Sequence, residues 1–552
     1  MSIPAQDRDA YLGRQLIAYI GNKRRLLASL EKLFRSLEER APVTSLLDPF
    51  AGSGAVSRLG RVLGYRVYAS DWEEYSAIIN RCHLATLPQE VENLFRPFGG
   101  LSALLDALNR SEDEPERRYF SRYYAPQKTD TADYRTERLF YTAENARFLD
   151  RVRGFIEREY PEEGPERNLL LAMLIYEAAT HANTSGVFKA FHKGFGGHGK
   201  DALGRILEPM QLEYPVLLEA PRASVGNLEA GDWSGGKSVD LCYLDPPYTI
   251  HQYGSNYHLL NSVARWDFPD AELDLKADGT LRRKAAIRSD WVETKSPYCS
   301  REGAAQALKG LLDRIDARFI VLSYNSDGII PLEELMELMS AQGKLELYTE
   351  AYTQYRGGKQ GLNRRNATTE FQLLITRGLT HSLSHSAAVE RSLLLHQVRT
   401  LLDADFHPRR FKTLYPTLKT ESDLFGTEEQ GLAGFWRPQA PPLDEEDLAQ
   451  MGLPQLRNLK SSLESALFRD NGEEAETLLE MLGEESNPKL RNEMVKRFLT
   501  VLRKLAHKKY RELFEELHVK AVEAFSRWEW ISSRQAEALA ELQFLAERRF
   551  RG

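Results

Sequence analysis

At 552 residues the chain exceeds what one hydrophobic core usually serves, so two or three domains are expected. Its 42% apolar and 28% charged residues exclude a fibrous or disordered chain, and a net charge of −7 speaks against a uniformly basic nucleic-acid binder while allowing a local basic face. Three scattered cysteines, Cys82, Cys242 and Cys299, exclude a disulfide framework; with no apolar run of spanning length and no signal-peptide core before Arg14, a cytoplasmic protein without a membrane segment is expected.

The first clear strand is Thr44 to Asp48. It runs into Pro49-Phe50-Ala51-Gly52-Ser53-Gly54, a helical pattern through Leu63, and a second strand at Arg66 to Ser70 that ends on Asp71. Strand, glycine turn, helix and strand make a βαβ unit. In open α/β sheets a ligand sits beside such a turn, where glycines let the backbone approach it. The spacing is neither the six-residue dinucleotide fingerprint nor a P-loop, so a phosphate contact is disfavoured. Asp71, 23 residues after Asp48, can accept both hydroxyls of a ribose, or simply cap a helix. Turn and acid together point to a nucleoside-containing cofactor.

Residues from about 100 to 220 are rich in Arg, Tyr and Glu, with helical periodicity near Asn145–Glu157 and Asn168–His181. The loop from Asn183 to Lys200 interleaves basic, aromatic and glycine residues, including Lys189, His192 and Lys193. It can meet phosphates or be a plain polar loop. The strand pattern returns at Val239–Leu244 and ends on Asp245-Pro246-Pro247-Tyr248. Two prolines rigidly present what flanks them. The Asp245 carboxylate and the Pro246 carbonyl are two acceptors, and Tyr248 is a flat wall. That set suits an exocyclic amino group on a planar base, its lone pair held toward a methyl donor by positioning, with no metal required. A base treated this way must leave its duplex. Further strands are expected at Phe319–Ser323, Leu345–Tyr352 and Glu370–Thr376. After Gly378 the pattern is helical, broken by a linker at Trp436–Pro442.

Phe50–Gly54 and Asp245–Tyr248 resemble the two signature motifs of amino-group DNA methyltransferases, and Tyr19-Ile20-Gly21-Asn22-Lys23 resembles a third, cofactor-contacting motif. Their order resembles the Dam-like alpha group of N6-adenine methyltransferases. The segments His251–His258 and Ser323–Gly328 are similar to segments in adenine methyltransferases of type IIS restriction systems. The resemblance implies a Rossmann-like class I methyltransferase α/β sheet with an inserted, mainly helical target-recognition domain, to which the periodicity after Gly378 adds a helical C-terminal extension outside the resemblance. Residues 1–95 and 223–378 would form the catalytic domain, 96–222 the insertion and 379–552 the extension.

It also implies S-adenosylmethionine as cofactor and double-stranded DNA as partner. Tyr19, Gly21 and Lys23 would touch the methionine moiety, with Lys23 on its carboxylate. Asp48, Phe50, Ala51, Gly52, Ser53 and Gly54 would line the cofactor, Asp71 would take the ribose and Asn227 would stand near the adenine. Asp245, Pro246, Pro247 and Tyr248 would form the catalytic pocket; Tyr253, Tyr257 and His258 would line it or belong to the core. Asn183, Lys189, His192, Lys193 and Lys200 would contact DNA. By their own basic aromatic stretch Arg356 and Lys359 would lie along a phosphate backbone or in a plain solvated hairpin loop, and the extension, outside the resemblance, would hold a protein partner or more DNA. Such an enzyme would serve restriction-modification or phage defence. The same pocket on cytosine N4 or RNA, and a non-catalytic DNA-binding subunit of this fold, stand as alternatives.

Overall fold

The computed structural model describes residues 5–196, 200–325, 328–348, 370–402, 404–414, 443 and 445–551. Arg356 and Lys359, and the side chain of Lys200, lie outside the described residues. The chain forms two compact units, one from Met1–Glu350 with Phe371–His385, the other mainly from Ser386–Gly552.

The first unit is built on seven strands: β1 (Ser45–Asp48), β2 (Arg66–Ser70), β3 (Ser224–Gly226), β4 (Ser238–Leu244), β5 (Asp316–Asn325), β6 (Lys344–Tyr348) and β7 (Glu370–Thr376). They lie in the order β3-β2-β1-β4-β5-β7-β6. The pairs β3–β2, β2–β1, β1–β4 and β4–β5 are parallel, and β6–β7 is antiparallel. Strands covered on both faces read as unbroken apolar runs, which is why Leu46-Leu47 and Leu241–Leu244 are legible as strands and fully buried. The three-residue β3 carries no such run.

Helix α1 (Leu27–Arg40) places Leu27, Leu30, Phe34 and Leu37 on one face by their three- and four-residue spacing, and all are buried. Phe34 meets Tyr243 of β4 edge-on, with ring centroids 6.3 Å apart. Helices α2 (Ala55–Val62) and α3 (Glu74–Asn80) follow β1 and β2. The chain runs outward from β1 through β2 to β3 on one side, and from β4 to β5 on the other. The order therefore reverses between β1 and β4, where open α/β sheets leave a crevice at the strands' carboxyl ends.

The helices between β2 and β3 include α4 (Ala143–Glu159) and α5 (Pro165–Thr180), matching the two periodic segments. This insertion shares a core with helices that flank the sheet. Leu149, Val152, Leu170 and Leu174 share one cluster with Ile78 and Ile79 of α3 and with Leu259 and Val263 of α6 (His258–Arg265). Buried Arg153 donates to the Val263 carbonyl at 2.8 Å and lies over the Trp266 ring. Buried Arg138 donates to carbonyls of Tyr123, Ala271, Glu272, Arg283 and Lys284, tying a second stretch after β4 to the insertion. Helices α7 (Ala304–Arg314) and α8 (Leu332–Ser340) precede β5 and β6.

The second unit contains α9 (Leu453–Ala466), α10 (Asn471–Glu484), α11 (Pro488–Leu505), α12 (Arg511–Arg527) and α13 (Ser533–Arg551). Asp470 and Asn487 cap α10 and α11 by accepting N–H groups of their first turns. Leu478, Phe498, Leu502, Leu517 and Leu542 share its core, where Arg497 pairs with fully buried Glu474 at 2.7 Å. No helix among the described residues is long and apolar enough to cross a membrane.

Candidate active site

The glycine turn leaves β1 on Asp48, a buried carboxyl that accepts a hydrogen bond from the Ser57 hydroxyl at 2.7 Å. Burial pushes this carboxyl up to about 7, and the neighbouring charges of Asp245 and Asp71 add to the shift. The Ala51 N–H donates to the Ser70 carbonyl at 2.9 Å, which holds the turn against the end of β2. Gly52 and Gly54 both have positive φ, +51° and +80°. A Cβ on Gly52 would stand 2.9 Å from the Tyr19 ring, and one on Gly54 only 2.2 Å from Asn80 Oδ1. Both positions therefore require glycine twice over, for conformation and for space. The Gly52 carbonyl accepts from Ser76 Oγ and Asn80 Nδ2, so α3 holds the turn open.

Asp71 closes the other side. Its Oδ2 accepts the Gly52 N–H at 2.8 Å and its Oδ1 the Glu73 N–H at 2.9 Å. Burial raises this carboxyl, while those N–H groups pull it back down. The carboxylate lines the cleft between these two N–H groups. Asn227 stands behind Asp71: its amide donates to the Asp71 and Trp72 carbonyls at 2.9 and 3.1 Å, and it is not among the residues lining the cleft. Glu229 and Ala230 line that end instead.

The segment Tyr19–Lys23 forms the third wall. Tyr19 stacks on Tyr257 with centroids 5.0 Å apart and planes 14° apart. The Ile20 N–H donates to Tyr257 Oη at 2.7 Å, and Tyr253 Oη donates to the Ile20 carbonyl at 3.1 Å. Tyr257 is thus a buried support, whereas Tyr253 also faces the cleft. His258 is a core residue: its Nε2 meets the Phe188 carbonyl at 3.0 Å, and burial pushes the imidazole down to about 3, leaving it neutral. The chain turns at Gly21, φ +78°, and delivers Lys23 inward. Lys23 Nζ lies 3.0 Å from Asp245 Oδ1, with only 3% of the side chain exposed, and 5.4 Å from the Tyr248 ring centroid.

Asp245, Pro246, Pro247 and Tyr248 leave β4 directly beside the glycine turn, and Tyr248 packs edge-on against Tyr324 at the end of β5. One cleft of about 950 Å³, its open mouth included, collects Tyr19, Gly21, Lys23, Asp48, Phe50–Ser53, Asp71 and the whole tetrad. Gly54 caps α2 just outside it. Sequence reasoning missed Gln252 as a wall residue, and missed Thr294, Ser296 and Tyr298 altogether. These last three come from an irregular stretch with neither strand nor helix period, so no local signal marked them.

In the basic loop, Asn183 is fully buried and its amide donates to the carbonyls of Leu139, His192 and Gly194. It shapes the loop from within, while Lys189 and Lys193 are exposed. The Phe188 N–H donates to the Asn256 carbonyl at 2.7 Å, which fastens this loop to the segment that follows the tetrad.

Residues 19–338 match the family model described as D12 class N6 adenine-specific DNA methyltransferase. The chain is 30% identical over 367 residues to the type II methyltransferase M.NlaIII of Neisseria lactamica, which spans 64% of this chain and 97% of that protein. It is 29% identical over 349 residues to the type II methyltransferase M.FokI of Planomicrobium okeanokoites and 28% over 346 residues to the modification methylase LlaI of Lactococcus lactis subsp. lactis, in each case about half of the relative's length. With the match covering more than half of the chain and running through every motif of the cleft, the protein belongs to the D12 class of N6 adenine-specific DNA methyltransferases.

Proposed function

We propose that this cleft binds S-adenosylmethionine and receives an adenine flipped from duplex DNA against Asp245-Pro246-Pro247-Tyr248. The family's reaction is methylation of adenine N6 in DNA, and membership implies dependence on S-adenosylmethionine. The observation that carries the assignment of residues is the convergence of Tyr19–Lys23, Phe50–Ser53, Asp71 and the tetrad on one cleft where the sheet order reverses.

The donor set fits the cofactor. Gly52 leaves bare backbone beside the Tyr19 ring in the cleft, and the Asp71 carboxylate lines the same cleft, where ribose hydroxyls would meet it. Lys23 lines the same cleft and would pair with the methionine carboxylate. The bound cofactor supplies an electrophilic methyl group.

The rest is positioning by this chain. Asp245 accepts one amino N–H of the target base and the Pro246 carbonyl accepts the other, which turns the nitrogen lone pair toward the methyl. Tyr248 flanks the base. Lys23, 3.0 Å from Asp245 Oδ1, would restrict the rotation of that carboxylate. The proton shed by the amino nitrogen passes to that carboxylate and on to water.

Lys189 and Lys193 would meet the DNA backbone. We assign the enzyme to the Dam-like alpha group by its motif order, to the cytoplasm, and to restriction-modification or phage defence, in keeping with the names of its relatives. The test is transfer of a labelled methyl group to DNA with digestion to nucleosides. N6-methyladenine is expected from the wild type. Asp245→Ala should lose transfer by at least three orders of magnitude while still binding cofactor; normal methylation by that variant would refute the pocket.

A further inference from the structure

We propose that residues 294–298 form the outer wall of the cofactor cleft and that Gln252, just beyond the tetrad, is the positioning residue that holds this wall in place. Thr294, Ser296 and Tyr298 all line the cleft. Tyr298 meets Phe50 of the turn edge-to-face, with ring centroids 5.1 Å apart and planes at 87°. The wall thus ends in an aromatic corner built from residues 248 positions apart in the chain.

Nothing in the wall's own backbone explains its position. It holds part of one short 3-10 turn, Pro297–Cys299, follows another at Asp290–Val292, and belongs to no sheet. Its position comes from outside contacts. The Gln252 carboxamide grips both backbone groups of Ser296: the Ser296 N–H donates to Oε1 at 2.8 Å, and Nε2 donates to the Ser296 carbonyl at 3.2 Å. Cys299 Sγ lies 3.5 Å from the His251 carbonyl. Gly254 lets the segment come close, since a Cβ there would stand 3.1 Å from Trp291 Cβ. Upstream, buried Arg288 anchors Asp290 and Asp267.

Three of these contacts fall on residues 251–254, immediately after Tyr248. The stretch that presents the catalytic tetrad therefore also fixes the far wall of the cofactor site. A planar primary carboxamide is suited to this grip, because it offers an acceptor and a donor at the spacing of a peptide's N–H and C=O. Its loss leaves the wall attached at its ends and free in the middle, which weakens cofactor binding without touching the tetrad.

The inference rests on the reading of the cleft as the cofactor site, and titration of the wild-type full-length protein with S-adenosylhomocysteine tests that reading separately. Given wild-type binding, Gln252→Ala should raise the Kd of S-adenosylhomocysteine and the KM for S-adenosylmethionine about tenfold, the cost of roughly two neutral hydrogen bonds. Its kcat, DNA affinity and melting temperature should stay near wild type. Tyr298→Ala should weaken binding in the same way, and the double variant should bind no worse than the weaker single one, because both changes remove the same wall. Val292→Ala, on the exposed side of the segment, should bind like the wild type. Unchanged Kd in Gln252→Ala overturns the proposal. So does additivity in the double variant, which would mean that Gln252 touches the cofactor itself, and so does a fall in kcat with KM unchanged.

Discussion

Gly54 carries two demands in one residue. Its φ of +80° lies in the left-handed region, and a Cβ would meet Asn80 Oδ1 at 2.2 Å. Gly54→Ala is expected to cost about 2 kcal/mol of stability in urea unfolding and to weaken cofactor binding at the same time. Asp48 supplies a pH signature. Its carboxyl is raised from the ordinary range to about 7 by burial, so between those values the folded chain keeps a proton that the unfolded chain has lost. The contribution of this residue to stability therefore falls as pH rises through that window and levels off above it. Asp48→Asn keeps an acceptor for Ser57 and abolishes the titration. Its stability relative to wild type should be higher at pH 8 than at pH 5, by on the order of 2 kcal/mol, measured as denaturation midpoints at the two pH values.

At the scale of elements, the loop Asn183–Gly196 separates shape from charge. Asn183 is expected from the sequence to contact DNA; in the structure its amide donates to two carbonyls inside the loop and to that of Leu139 outside it. Asn183→Ala is expected to weaken DNA binding by disordering the loop, with little change in the salt dependence of the affinity. Lys189 is exposed on the same loop. Lys189→Ala should lower the slope of log K against log salt by about one, as expected for a lost phosphate contact, and fluorescence anisotropy across a salt series distinguishes the two. The helices around this loop could be read from their periodicity. That α4 and α5 pack into a common core with α3 and α6 could not, because a buried leucine does not name its partner.

For the whole molecule, M.NlaIII is instructive: 97% of it matches only 64% of this chain. The methyltransferase unit closes at His385 and the second unit has its own core. A variant ending at His385 should therefore still methylate DNA with kcat within a fewfold of the full chain, measured by methyl transfer at saturating DNA. Loss of DNA binding in that variant would make the second unit part of the DNA site; retention would leave it as a partner-binding module.

The sequence by itself determined the motifs on which the proposed site rests. The glycine turn and Asp245-Pro246-Pro247-Tyr248 are each contiguous along the chain, so they are legible without the fold, and buried parallel strands betray themselves as apolar runs. Only the tertiary structure decided the rest. It brought Lys23 onto Asp245 across 222 positions of chain, turned Tyr257 and His258 into supports rather than pocket walls, gave Asn227 to the backbone behind Asp71, and laid Tyr298 against Phe50. Those contacts depend on which strands pair and where loops return, and no periodicity or spacing along the chain encodes the meeting of two irregular segments.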